Sequence, residues 1–116
     1  MGVTVKCCPV SDGVTTTSQT GENSVIVIPA GLAPGTRVHI TQIWASNEPS
    51  DNLGKDLTIA TEGGALIWKE YTETEPFVSR YFHSPLRGPV GEDLTITFEG
   101  HPGSVSTLSV TYYISV

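Results

Sequence analysis

The side chains of this chain best suited to acid–base or metal chemistry are three histidines, His39, His83 and His101. A metal site or a proton relay needs them brought within a few ångströms of one another, and ligand sets usually announce themselves by short, regular spacing. These three fall in separate segments with no such spacing. His39 stands between Val38 and Ile40 and is expected to face outward. His83 ends a strand, and His101 sits in a turn. Ser84, His83 and Asp93 contain the residue types of a nucleophilic triad, but no Gly-x-Ser-x-Gly elbow presents the serine. Glu70, Glu73 and Glu75 read as a solvated loop between strands, and Glu92-Asp93 as a strand entrance. Asp51, Asn52 and Asp56 lack the spacing and the terminal glutamate of a calcium loop. A phosphate-cradling glycine loop needs a following helix, and none is expected. No catalytic, cofactor-binding or metal-ligating residue is expected, and the chain is not expected to be an enzyme.

Aromatic side chains offer a different kind of chemistry. Trp44, Trp68, Tyr71, Tyr81 and Tyr113 could stack a sugar, or could anchor a protein interface. Within Ala65 to Tyr71, strict alternation puts Leu66 and Trp68 on one face and Ile67, Lys69 and Tyr71 on the other. One aromatic of that strand is then core and one exposed. The adjacent cysteines Cys7 and Cys8 point to opposite faces of any strand, so they are not expected to bridge each other. One reads as a small core residue and the other as a thiol.

The chain has 116 residues, enough for one core, and formal net charge −6 from six Lys and Arg against twelve Asp and Glu. Only 16% of the residues are charged, below the roughly 25% of ordinary soluble domains, with Ser and Thr filling the difference. The cations Lys6, Arg37, Lys55, Lys69, Arg80 and Arg87 are scattered singly. A surface for nucleic acid or anionic membrane needs them clustered, so neither partner is expected. No apolar run approaches the roughly 20 residues of a membrane span. The opening MGVTVKCCPV lacks the charged lead and apolar core of a secretion signal, and Lys6 stands where a myristoylation motif wants Ser or Thr. Synthesis in the cytoplasm without processing is the expectation.

The elements that must position these residues are all strands. Alternation or β-branched runs mark Val3 to Cys8, Val14 to Thr20 (an edge strand), Ser24 to Ile28, Thr36 to Ser46, Asp56 to Glu62, Ala65 to Tyr71 and Pro76 to His83. The run Val25-Ile26-Val27-Ile28 predicts burial on both faces. In Thr36 to Ser46 the apolar parity switches from Val38 and Ile40 to Ile43 and Ala45. A bulge near Thr41-Gln42 explains the switch; so does an inward Trp44 without a bulge. Gly63-Gly64 predicts a two-residue hairpin turn. The closing block has Leu94, Ile96 and Phe98, a turn at Gly100-His101-Pro102-Gly103, then Leu108, Val110, Tyr112 and Ile114. It reads as a pair of antiparallel strands. No segment carries an apolar 3.6-residue period. The expected fold is all-β: a single antiparallel β-sandwich over 1–116, jelly-roll-like, with about eight strands and almost no helix. Residues 1–12 are expected to form an N-terminal arm able to add a strand to a neighbour.

The stretch Pro85-Leu86-Arg87-Gly88-Pro89-Val90-Gly91-Glu92 into Leu94-Thr95-Ile96-Thr97, with the terminal Val110-Thr111-Tyr112-Tyr113, resembles the C-terminal half of small virion proteins of tailed bacteriophages. Ile28-Pro29-Ala30-Gly31 and Gly63-Gly64 before Leu66-Ile67-Trp68-Lys69 are similar to the same proteins, so the resemblance spans Ser24 to Val116. It rests on turn chemistry and alternation. It implies a capsid decoration (cement) protein: a homotrimer that binds the major capsid protein on the outer surface of a head. Tail or neck fibre modules of the same build, and carbohydrate-binding modules, are the alternatives. The loop Pro85 to Gly91 and the aromatic strand before it are expected to form a contact surface. Trp68, Tyr71, Phe77, Tyr81 and Arg87 are the interface candidates.

Overall fold

A computed structural model describes residues 15–21, 24–30, 33–48, 55–72, 77–99 and 105–116. The expected strand Val3 to Cys8, the arm 1–12, Cys7, Cys8, Asp51, Asn52, Glu73, Glu75 and the turn with His101 lie outside them. The described residues form eight strands: β1 Thr15–Gly21, β2 Ser24–Ile28, β3 Arg37–Glu48, β4 Lys55–Thr61, β5 Leu66–Thr72, β6 Phe77–Arg87, β7 Leu94–Phe98 and β8 Val105–Ser115. They make two antiparallel sheets, β1-β8-β3-β6 and β2-β7-β4-β5. The first strand pairs with the last, β2 with β7, β3 with β6 and β4 with β5. This is one long two-stranded ribbon folded over, with β3–β8 and β4–β7 joining its turns into sheets. That order is an eight-stranded jelly roll.

The topology corrects the reading of the closing block. β7 and β8 both alternate as expected, yet they lie in opposite sheets and do not pair. The chain crosses between sheets after Phe98 because each strand's partners come from the far end of the sequence. Their inward residues Leu94, Ile96, Phe98, Leu108 and Val110 are fully buried, with Tyr112 packed against them.

The core is filled by matching rows. Ile26, Ile96, Ile59 and Trp68 line up across one sheet. Val38, Ile40, Ile43, Ala45 and Val78 face them from the other, each 0–1% exposed. In β3 the parity switch is a bulge between Ile40 and Gln42, which turns Trp44 outward. One extra residue there keeps both apolar pairs in the core. A second bulge, on β5 opposite Ile59/Ala60, accommodates Ile67. Its consequence was not legible from alternation: Leu66 leaves the face of Trp68 and stands 58% exposed opposite Ala60. Strand β2 alternates instead of burying both faces. Ile26 and Ile28 are buried, Val25 and Val27 are not, because no described element covers the outer face of its sheet.

Local hydrogen bonds hold the connections. The β4–β5 hairpin closes with Gly64 N donating to Thr61 O (2.9 Å) and Thr61 N to Ala65 O (2.9 Å). Gly64 has φ +92. The turn is therefore Glu62-Gly63-Gly64, one residue longer than expected, with the last glycine in the left-handed region. After β6, Gly88 N donates to Val38 O and Gly91 N to Thr36 O, both at 2.9 Å, pinning the loop to the start of β3. Ser24 and Ser106, both buried, share a hydroxyl hydrogen bond of 2.9 Å between the sheets.

Candidate interaction surfaces

Two outer faces and one corner carry the polar and aromatic side chains left over from the core. On the β1-β8-β3-β6 sheet the register stacks three rows: Thr20–Thr107–Ser46–Phe77, Ser18–Ser109–Trp44–Ser79 and Thr16–Thr111–Gln42–Tyr81. None of the twelve positions is charged. Trp44 is 38% exposed and Tyr81 72%, with Tyr81 edge-on to His83 at 6.3 Å between ring centroids. On the opposite sheet the outer rows are Val27–Thr95–Ala60–Leu66 and Val25–Thr97–Thr58–Lys69, with Lys69 Nζ 3.6 Å from Asp56 Oδ2.

The sequence-derived interface candidates are divided between these places. Tyr81 stands on the first face, Phe77 occupies a register position on it, and Arg87 lies at one end of it. The Phe77 side chain itself is outside the described residues. Tyr71 is 55% exposed on the opposite sheet. Trp68 is turned inward and half-buried, packing edge-on against Phe82 at 5.5 Å. Beside it Arg80 Nε donates to Glu70 Oε1 at 2.8 Å and Arg80 Nη2 to Oε2. Glu70 is thus part of an inter-sheet clasp rather than the solvated loop expected for it. β5 and β6 are edge strands of different sheets, and these two contacts close the sandwich between them.

Arg87 ends strand β6, which runs past His83 and through Pro85. β3 pairs Ile40 with Leu86 and then Gln42 with Tyr81, so Phe82 to Pro85 bow out of the ladder. A proline is tolerated here because β6 is an edge strand and the bow frees it from donating. The expected loop Pro85 to Gly91 accordingly shortens to Gly88 onward.

His39 has the outward parity expected of it but is only 5% exposed. Tyr113, its register partner on β8, stacks on it with centroids 4.7 Å apart and planes within 6°. Arg87 is its register partner on the other side. Nε2 lies 3.4 Å from Ser115 O, and Nδ1 is buried with no partner among the described residues. Burial holds the imidazole below its usual 6.5, Arg87 and Arg37 push the same way, and the Ser115 hydrogen bond opposes them. Sequence reasoning missed this corner: outward parity reads as exposure, and only the cross-strand neighbours reveal the cover.

The other candidates for chemistry stay apart. Among the described residues no group of three or more His, Cys, Asp or Glu side chains could hold a metal ion. Asp93 serves the loops: Oδ1 accepts from Ala30 N (3.2 Å), and Asp93 N donates to Glu62 Oε1 (3.0 Å). Among the described residues no helix is long and apolar enough to cross a membrane.

No protein-family model and no curated protein matches the sequence. Among solved structures, the chain is similar to the virus-like particle of the extra small virus of the giant freshwater prawn Macrobrachium rosenbergii, determined by cryo-EM. The match covers 100% of this chain and 89% of that one, at 10% identity and a TM-score of 0.34.

Proposed function

We propose that this chain is a structural virion protein, specifically a capsid decoration protein. In this reading it assembles as a homotrimer, binds the major capsid protein on the outside of a phage head, and catalyses no reaction. The observation that carries the reading is the outer face of the β1-β8-β3-β6 sheet. There Trp44 and Tyr81 stand exposed among Ser, Thr and Gln, with no charge in three successive rows. Depletion of charge around aromatic anchors is the compositional mark of a protein-contact surface. The jelly roll is compatible, since viral capsid domains use it, though lectin domains and cupins do too. The turn and strand resemblance to small phage virion proteins points the same way. Tyr81, Arg87 and the Phe77 position belong to this surface. Tyr71 would serve a second contact on the opposite sheet, and Trp68 supports the edge from within.

Size-exclusion chromatography with light scattering tests self-association, and co-sedimentation with purified heads tests shell binding. A trimer that pellets with heads is expected. A strict monomer left in the supernatant ends the reading. A second reading, carbohydrate binding, is favoured by Gln42 and Ser79 lying beside the same two aromatics, which supplies hydrogen bonds around a stacking platform. Quenching or a shift of Trp fluorescence by oligosaccharides, without self-association, would replace the first reading with this one.

A further inference from the structure

The His39 corner combines three features. His39 and Arg37 share one face of β3 at i and i+2, about 6.6 Å apart along the strand, and Arg87 stands opposite His39 on β6, with Cβ atoms about 5 Å apart. Four cations have described side chains. Lys69 is paired with Asp56 and Arg80 with Glu70, whereas Arg37 and Arg87 have no carboxylate partner among the described residues. Between them lies a side chain more than nine-tenths buried whose Nδ1 is unsatisfied. In a chain of net charge −6, this is a local positive spot around a buried nitrogen that lacks a partner among the described residues.

We propose that Arg37, His39 and Arg87 form a docking point for the carboxylates of an acidic segment on a partner protein. Two arginines flanking His39 match one or two carboxylates, and such charge-assisted bonds are the strong ones. Two cations are too few for a phosphate backbone. Among the described carboxylates a second copy is a poorer donor: Asp56 and Glu70 are already in ion pairs and Glu62 and Asp93 accept backbone amides, which leaves Glu92 and Glu99 as single carboxylates at opposite ends of β7. Beyond about 8–10 Å the net charge is screened, so the local pair governs the encounter.

Binding is coupled to a proton. The charged groups facing His39 are Arg37 on its own strand and Arg87 on β6; β8 contributes Tyr113, and Val116 follows directly on Ser115. A carboxylate placed between the arginines cancels part of the field that keeps the imidazole neutral, so His39 takes up a proton more readily.

A hexaglutamate peptide titrated into the full chain, followed by NMR of the His39 ring, tests this. The peptide is expected to shift the ring resonances and raise the titration midpoint of His39. Hexaglutamine should bind at least tenfold more weakly. Arg87→Gln, at an exposed position, and the double variant Arg37→Gln/Arg87→Gln should each weaken binding, the double at least tenfold, while Lys69→Gln leaves it unchanged. Equal binding of hexaglutamine, or equal binding by the double variant, overturns the proposal. Tighter binding of a thymidine decanucleotide than of the peptide overturns the assignment to carboxylates. Loss of self-association in the double variant, with no peptide response in the wild type, hands the site to a second copy and overturns the partner.

Discussion

An imidazole that is 5% exposed and flanked by two guanidinium groups favours its neutral form in the fold. Its protonation midpoint lies below 6.5 in the folded chain and near that value in the unfolded one. Below about pH 6.5 the unfolded chain therefore binds the proton first, and stability falls as pH drops through that region. Melting temperatures of wild type and His39→Phe between pH 8 and 5 measure this: Phe keeps the stack on Tyr113, and the variant should show the shallower acid-side decline. Parallel profiles would mean that His39 titrates as it does in solvent. Gly88 makes a steric case of a different kind. A Cβ there would lie 2.9 Å from Leu94 Cδ2 and 3.0 Å from its Cγ, and Leu94 is fully buried, so the core must shift to admit it. Gly88→Ala should cost about 1–3 kcal/mol in a urea-unfolding titration.

At the scale of elements, the vulnerable seam is the edge where β5 meets β6. The Trp68–Phe82 contact and the Arg80–Glu70 fork are the described cross-sheet interactions there. Trp68→Ala should cost about 2 kcal/mol, less than a fully buried tryptophan because the ring is half-exposed. Arg80→Gln should cost under about 1 kcal/mol, as the pair is partly solvated. Urea midpoints of both variants test the ranking, and equal losses would mean that the ion pair carries more of the closure than its solvation suggests. The β4–β5 hairpin depends on Gly64, whose φ of +92 is unfavourable for any residue with a Cβ. Gly64→Ala should destabilise by about 1–2 kcal/mol.

For the whole molecule, the fold and the proposed contact surface are separable. Trp44 and Tyr81 contribute exposed area to an outer face and stand outside the core cluster. The double change Trp44→Ser/Tyr81→Ser should leave the melting temperature within a few degrees while reducing the proposed trimer to monomers in light scattering. A large loss of stability with unchanged mass would show that these rings support the sheet instead of a partner.

Strand positions, the β1 edge, the hairpin at Gly63-Gly64 and the inward sets of β7 and β8 were readable from the sequence, because period-2 alternation and glycine turns are local properties. The bulge near Thr41 was readable as one of two explanations of a parity switch, and the tertiary structure chose it by needing both Ile40 and Ile43 in the core. What alternation could not supply was the partner of each strand. The sequence neighbours β7 and β8 pair instead with β2 and β4, and with β1 and β3, because sheet pairing is decided by burial between distant segments. For the same reason the corner of Arg37, His39 and Arg87 is invisible in one dimension: Arg87 lies 48 residues beyond His39 and meets it only through the β3–β6 register.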